Sequence, residues 1–169
     1  VAGTQLPCYV FESSKSLARH VASVVAGVIR ERNAFGQKAV LGLPTGSTPV
    51  GVYRELIRMH QEEDLDFSNV VTFNLDEYYG LQPDALQSYH RWMHEQFFQH
   101  VNMSAENIHV PDGTVPLEEV DAWCREYEQK IADAGGLDLT LLGIGGNGHI
   151  GFNEPQSVRG GRTRLWMMD

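Results

Sequence analysis

Lys38-Ala39-Val40-Leu41-Gly42-Leu43-Pro44-Thr45-Gly46-Ser47-Thr48-Pro49 is the stretch that decides the fold. After Lys38, the residues Ala39 to Leu43 run apolar without alternation, which predicts a strand over Lys38–Leu43 covered on both faces. Beyond Pro49, residues Val52, Leu56 and Met59 recur at helical spacing. Strand, glycine loop and helix in that order make the unit from which parallel sheets are wound. Gly46 permits a close turn, Thr45, Ser47 and Thr48 offer hydroxyl donors, and Pro49 suits a first helical turn. Such a junction either caps its own helix or receives an anion at the helix N-terminus. No Lys follows the glycine, so this is not a Walker A loop.

Working outward, the same alternation repeats. Cys8 to Phe11 predicts a first strand, followed by a Ser cap and a helix of roughly 18 residues marked by Leu17, Val21, Val24, Val25, Val28 and Ile29. A third strand is expected over Asn69–Phe73, a helix over Ser88–Phe98, and a brief extended piece at Ile108–Val110. Val120, Trp123, Cys124, Tyr127 and Ile131 mark another amphipathic helix, ended by Ala134-Gly135-Gly136, and Leu137–Leu142 reads as the most apolar strand. The class is α/β, with an open, mainly parallel, Rossmann-like sheet and helices on both faces. Ligands of such sheets bind beyond the carboxyl ends of the strands. The residues after Leu43, Phe73 and Leu142 are therefore the place to look for chemistry.

Composition agrees with one domain over residues 1–169: the chain is 42% hydrophobic and 21% charged, with a net charge of −9. An acidic balance without a basic stripe argues against nucleic acid as a partner. No apolar stretch approaches the roughly 20 residues that span a bilayer, and Val1–Pro7 shows neither a basic nor an apolar signal region. The absence of an initiator Met is what processing or trimming would leave. Two distant cysteines, Cys8 and Cys124, give no disulfide framework and make a reducing cytoplasm the expected location.

Asp76 and Glu77 follow the third strand, and because side chains alternate, only one is expected to face the crevice. Either could act as a general base, and a pair of solvated loop charges is the competing interpretation. Five of the 17 glycines lie between Gly143 and Gly151. Gly143, Gly145 and Gly148 satisfy the dinucleotide fingerprint in spacing only, because Gly151, Asn153 and Pro155 break the helix that fingerprint must open. What remains is a loop presenting His149, with Glu154 five residues on to orient it. A structural His in a tight turn is the alternative. His90 and His94 have the spacing of a helical metal pair but lack H-E-x-x-H, so no metal site is assigned. Cys124 sits on an apolar stripe and is read as core.

Taken together, Leu43-Pro-Thr-Gly-Ser-Thr-Pro, Phe73-Asn-Leu-Asp-Glu-Tyr, Ser88-Tyr-His, Gly148-His-Ile-Gly-Phe-Asn-Glu-Pro and Arg162-Thr-Arg resemble the glucosamine-6-phosphate deaminase family in order along the chain. The related 6-phosphogluconolactonases share the fold and the Gly-His loop, but typically have Asp-Glu-Arg at the position of Asp76-Glu77-Tyr78 and lack Gly151-Phe-Asn-Glu-Pro. The resemblance implies a NagB/RpiA-like fold and, without a cofactor, conversion of glucosamine 6-phosphate and water into fructose 6-phosphate and ammonia. It further implies that His149 assists ring opening, that Asn147 and Glu154 orient it, and that Asp76 moves the C2 proton to C1. Thr45, Gly46, Ser47 and Thr48 would hold the phosphate, with Glu77, Gly145 and Gly146 also against the substrate.

Three departures qualify the resemblance. Position 147 is Asn, where many members have Asp. An amide accepts a hydrogen bond from the imidazole but cannot stabilise the imidazolium by charge. Ser157 and Arg164 match an allosteric site for N-acetylglucosamine 6-phosphate found in some hexameric members, yet Val158 and Trp166 replace a Ser and a Lys there. Little activation is expected. Finally, the chain stops where the family continues with strands, helices and basic residues of the phosphate site, so a truncated domain is expected. Members include monomers and hexamers, leaving a homo-oligomer open. A galactosamine 6-phosphate deaminase and a silent sugar-phosphate-binding domain are the alternatives.

Overall fold

Ser13 opens the first helix of the computed structural model, which describes residues 7–167. In α1 (Ser14–Ala34), the Ser13 hydroxyl accepts from the Ser16 amide at 3.1 Å, and the Ser13 amide donates to the Ser16 hydroxyl at 3.2 Å. This reciprocal cap satisfies two donors that the first turn leaves without helical partners. There follow β1 (Ala39–Leu43), α2 (Val50–Glu62), β2 (Val70–Asn74), α3 (Tyr89–Gln96), β3 (Ile108–His109), α4 (Val120–Asp133) and β4 (Leu139–Thr140). The sheet order is β3-β2-β1-β4 and every pair is parallel, with Ala39 opposite Val70 and Leu43 opposite Asn74.

All ten residues of β1 and β2 are buried, the polar Thr72 and Asn74 of β2 among them, which explains why neither strand shows a solvent-facing polar side. Ala39, Leu41 and Leu43 pack with Ile29 of α1, Tyr53 and Leu56 of α2, and Met93 of α3. Val40, Val71 and Phe73 meet Tyr127 and Trp123 of α4. Removal of a side chain such as Ile29 or Leu56 from water is worth about 2 kcal/mol. These two clusters place helices on both faces, as the sequence predicted.

Two expected strands are corrected. Cys8–Phe11 forms no strand: Tyr9 and Val10 are exposed, and the Tyr9 and Phe11 rings lie near His20 of α1. The run is apolar enough to pair, but it lies along no sheet edge. Of Leu137–Leu142, only Leu139 and Thr140 enter the ladder, and Leu142 is exposed. Among the described residues β4 is an edge strand, so its outer side lacks the neighbour that would extend it. Its start is fastened by Asp138, which pairs with Arg32 at the end of α1 and accepts from the Val40 amide at 2.9 Å.

Candidate active site

The ends of β1, β2 and β4 deliver three loops to the same edge of the sheet. After β1, the buried Tyr53 donates its hydroxyl to the Pro44 carbonyl at 2.5 Å, fixing the start of the Thr45–Thr48 loop against α2. Gly46 has φ +99°, a conformation other residues resist. Pro49 leads into α2 without any side-chain cap, so the hydroxyls of the loop do not satisfy the helix's first amides. Orphan amides together with a helix N-terminus provide the donors that an anion needs.

At the end of β2, Asn74 ties the strand tips together. Its Nδ2 donates to the Leu43 carbonyl at 3.1 Å, while its buried Oδ1 has no hydrogen-bond partner. The Tyr127 hydroxyl lies 2.9 Å from the Asn74 carbonyl and 3.1 Å from that of His109, so α4 holds the tips of β2 and β3. Sequence reading passed over Tyr53 and gave Tyr127 only as part of an amphipathic helical stripe. The available signal was a phenol within an apolar helical stripe, which needs a polar partner when buried.

Asp76 and Glu77 part company, as alternation requires. Glu77 turns to the start of α3, accepting from Ser88 Oγ at 2.8 Å and from the Tyr89 amide at 3.0 Å. Asp76 faces the glycine loop, where a Cβ on Gly151 would stand 3.2 Å from Asp76 Oδ2. Burial, and secondarily the Glu77 carboxylate, push the Asp76 carboxyl up to about 6. Such a group is still ionised at neutral pH but is a far better proton acceptor than an ordinary Asp.

The loop after β4 is tied together by its own residues. The Gly145 amide donates to the His149 carbonyl, the Gly148 amide to the Gly145 carbonyl, both at 2.9 Å, and Ile150 and Asn153 exchange two backbone bonds. Gly145 lies under the imidazole, and a Cβ there would overlap the ring. Glu154 accepts from Asn147 Nδ2 at 2.7 Å, which orients the Asn147 amide so that its oxygen faces His149 Nδ1, also at 2.7 Å. An amide oxygen only accepts, so this network assigns the proton to Nδ1 and leaves a lone pair on Nε2. Glu154 Oε1 stands 3.9 Å from Nδ1.

Tyr78 and Phe152 join the two sides, their ring centres 5.1 Å apart, with Tyr89 packed against both. Thr45 adjoins Tyr89, so the first loop meets the same group. A cavity of about 650 Å³ runs from Asp76 past Phe152 and Trp123 to Arg162 and Trp166. His149, Glu154 and the Thr45–Thr48 loop do not line it. Glu128 of α4, which sequence reading passed over, accepts from the Thr163 amide and hydroxyl at 2.8 Å and closes its far side. Arg164 donates to Asn153 Oδ1 at 2.9 Å and lies over Trp166. Ser157 donates its amide to the Glu154 carbonyl, but its hydroxyl has no partner among the described residues.

The strand tips of this parallel α/β sheet thus carry a buried carboxylate and an oriented imidazole, which makes it a candidate proton-transfer site. Residues 12–157 match the family of glucosamine-6-phosphate isomerases and 6-phosphogluconolactonases, and the chain belongs to that family. Glucosamine-6-phosphate deaminase 2 of Bacillus subtilis is 54% identical over 140 residues, which cover 83% of this chain and 55% of that protein. The glucosamine-6-phosphate deaminase of Halothermothrix orenii is 51% identical over 154 residues, covering 91% and 61%. A solved monomeric glucosamine-6-phosphate deaminase of the NagB superfamily superposes with TM-score 0.88 at 43% identity, over 94% of this chain and 64% of that one. The 6-phosphogluconolactonase of Thermotoga maritima gives 0.69 at 26% identity, over 85% and 62%. The chain thus spans little more than half the length of these curated relatives.

Proposed function

We propose that this chain carries the proton-transfer centre of a glucosamine-6-phosphate deaminase. The observation that carries the reading is the approach of the glycine loop to Asp76, with Gly151 against its Oδ2 and His149 held two residues earlier in one tautomer. His149 Nε2, as the free acceptor, takes the O1 proton of the closed sugar and returns it to the ring oxygen, opening the ring to the aldehyde. Asp76 then removes the C2 proton, acidified by the neighbouring carbonyl, and delivers it to C1. The enolamine becomes a C2 iminium, and water releases ammonia to leave the ketose phosphate.

The Thr45–Thr48 loop and the uncapped start of α2 are assigned to the phosphate, with Gly145 and Gly146 bordering the sugar. The remaining cations of the clamp belong, in this reading, to the part of the relatives that the chain does not span. Residues 1–169 are read as part of a single domain. Cys8 and Cys124 are free thiols, as a reducing cytoplasm would leave them. With Arg164 engaged by Asn153 and Trp166, N-acetylglucosamine 6-phosphate is expected to change the rate little. The purified chain should release ammonia from glucosamine 6-phosphate, and Asp76→Asn should reduce that release by roughly a thousandfold or more. Saturable binding of the sugar phosphate without ammonia release would assign a binding domain instead.

A further inference from the structure

We propose that Glu77 is a positioning residue, whose carboxylate clamps the segment carrying Asp76 onto the first turn of α3. The inference rests on the reading of Asp76 as the base, and it replaces the substrate contact expected for Glu77 from the sequence.

Four donors converge on this one side chain. Oε1 accepts from the Tyr78 amide at 2.8 Å and from the Tyr89 amide at 3.0 Å. Oε2 accepts from Ser88 Oγ at 2.8 Å and from the His90 amide at 2.9 Å. A carboxylate offers about four lone-pair sites, so none remains for a sugar hydroxyl. Ser88, fully buried, caps α3 through the same His90 amide at 3.1 Å. An anion at a helix N-terminus is favoured by the orphan amides and the helix dipole, and bonds to a charged acceptor are the stronger kind.

The clamp matters because the Asp76 side chain has no tether of its own. Among the described residues its carboxylate makes no hydrogen bond, so its position is inherited from the backbone of residues 75–80. That backbone is held at one end by the Leu75 amide on the Leu43 carbonyl at 3.3 Å, and at the other by the Gly80 amide on the Gly113 carbonyl at 2.7 Å. Glu77 supplies the fixed point between them. Tyr53 of α2, Tyr89 of α3 and Tyr127 of α4 also face Asp76, each held neutral mainly by burial. Among the described residues Glu77 is the anion beside the base, and after burial its charge supports the raised Asp76 carboxyl.

The test compares the wild-type 169-residue chain with Glu77→Gln and with the milder Ser88→Ala, which removes one donor and leaves three. A Gln side chain keeps one acceptor oxygen and puts a donor NH2 in place of the other, so the clamp loses its amide bonds on one side. With glucosamine 6-phosphate, kcat should fall about tenfold or more in Glu77→Gln with KM within about twofold. A raised KM at unchanged kcat would restore the substrate contact and overturn the proposal. Independently of turnover, the ¹³C carboxyl resonance of Asp76, assigned by its loss in Asp76→Asn, should titrate at lower pH in Glu77→Gln. The amide signals of Tyr78, Tyr89 and His90 should move with it, and in Ser88→Ala they should move less. Unmoved amides and an unmoved Asp76 titration would overturn the proposal. A wild-type chain that releases no ammonia defeats the deaminase reading alone, since the resonance measurement still decides the role of Glu77.

Discussion

Asp76 and His149 face the same end of the sheet, but they are held there by different means. Asp76 depends on residues scattered over the chain: β1 through Leu43, α3 through Glu77, and the segment at Gly113. His149 depends on its own neighbourhood, since Gly145, Asn147, Asn153 and Glu154 supply the bonds that shape its loop. The base is therefore a product of the tertiary fold, whereas the imidazole comes with its holder written into ten consecutive residues. Damage to packing should be felt first at Asp76, and damage to the loop sequence first at His149.

The largest expected effect that sharpens this contrast comes from Gly145→Ala. The new Cβ must displace the imidazole, and a misplacement of about 1 Å costs on the order of a hundredfold in kcat/KM. The Asp76 carboxyl titration, read by NMR, should stay where it is in that variant, and a shift would show that the two sides are not separately held. Next comes Glu154→Ala, which leaves Asn147 free to rotate its amide and so frees the His149 tautomer. Loss of one charge-assisted hydrogen bond, about 1.5 kcal/mol, predicts roughly a tenfold fall in kcat/KM. An unchanged rate would show that the loop backbone alone orients the imidazole.

A smaller effect tests the other side through stability. With a folded pKa of about 6 against an ordinary 3.8, Asp76 binds its proton more tightly in the native state. Native stability contributed by this group is therefore highest below pH 3.8 and falls as pH rises towards 6. Above that window the ionised carboxylate costs the fold on the order of 3 kcal/mol. Asp76→Asn should accordingly raise Tm at pH 8 and leave it nearly unchanged at pH 4. A variant that is less stable at pH 8 would contradict the burial assigned to this group. The same titration makes activity rise with pH through about 6, because the base works deprotonated.

The local side of this contrast was legible in the sequence and the tertiary side was not. The cap at Ser13, the helix over Val50–Glu62 and the two central strands follow from periodicity and unbroken apolar runs. The loop around His149 was legible because its glycines and its Asn and Glu lie within one short stretch. The sequence left Glu77 as a base, a loop charge or a substrate contact, since its remote donors begin eleven residues later, at the Ser88 hydroxyl, and nothing local marks them. Cys8–Phe11 and Leu137–Leu142 failed for a related reason. Apolar content shows that a segment can pair, but only the assembled sheet shows whether an edge is there to receive it.

The Tyr127 hydroxyl has a further consequence. The β2–β3 ladder ends at Phe73 opposite His109, and just beyond it the Asn74 and His109 carbonyls share that one phenol. A side chain from α4 thus stands in for the next rung of the ladder. Strand tips joined by a phenol rather than by paired backbone can spread by a small rotation of that side chain without unzipping the sheet behind them. The spacing of the β2 and β3 tips beside Asp76 is therefore set by one side chain of α4, next to ten residues of β1 and β2 that the core keeps buried.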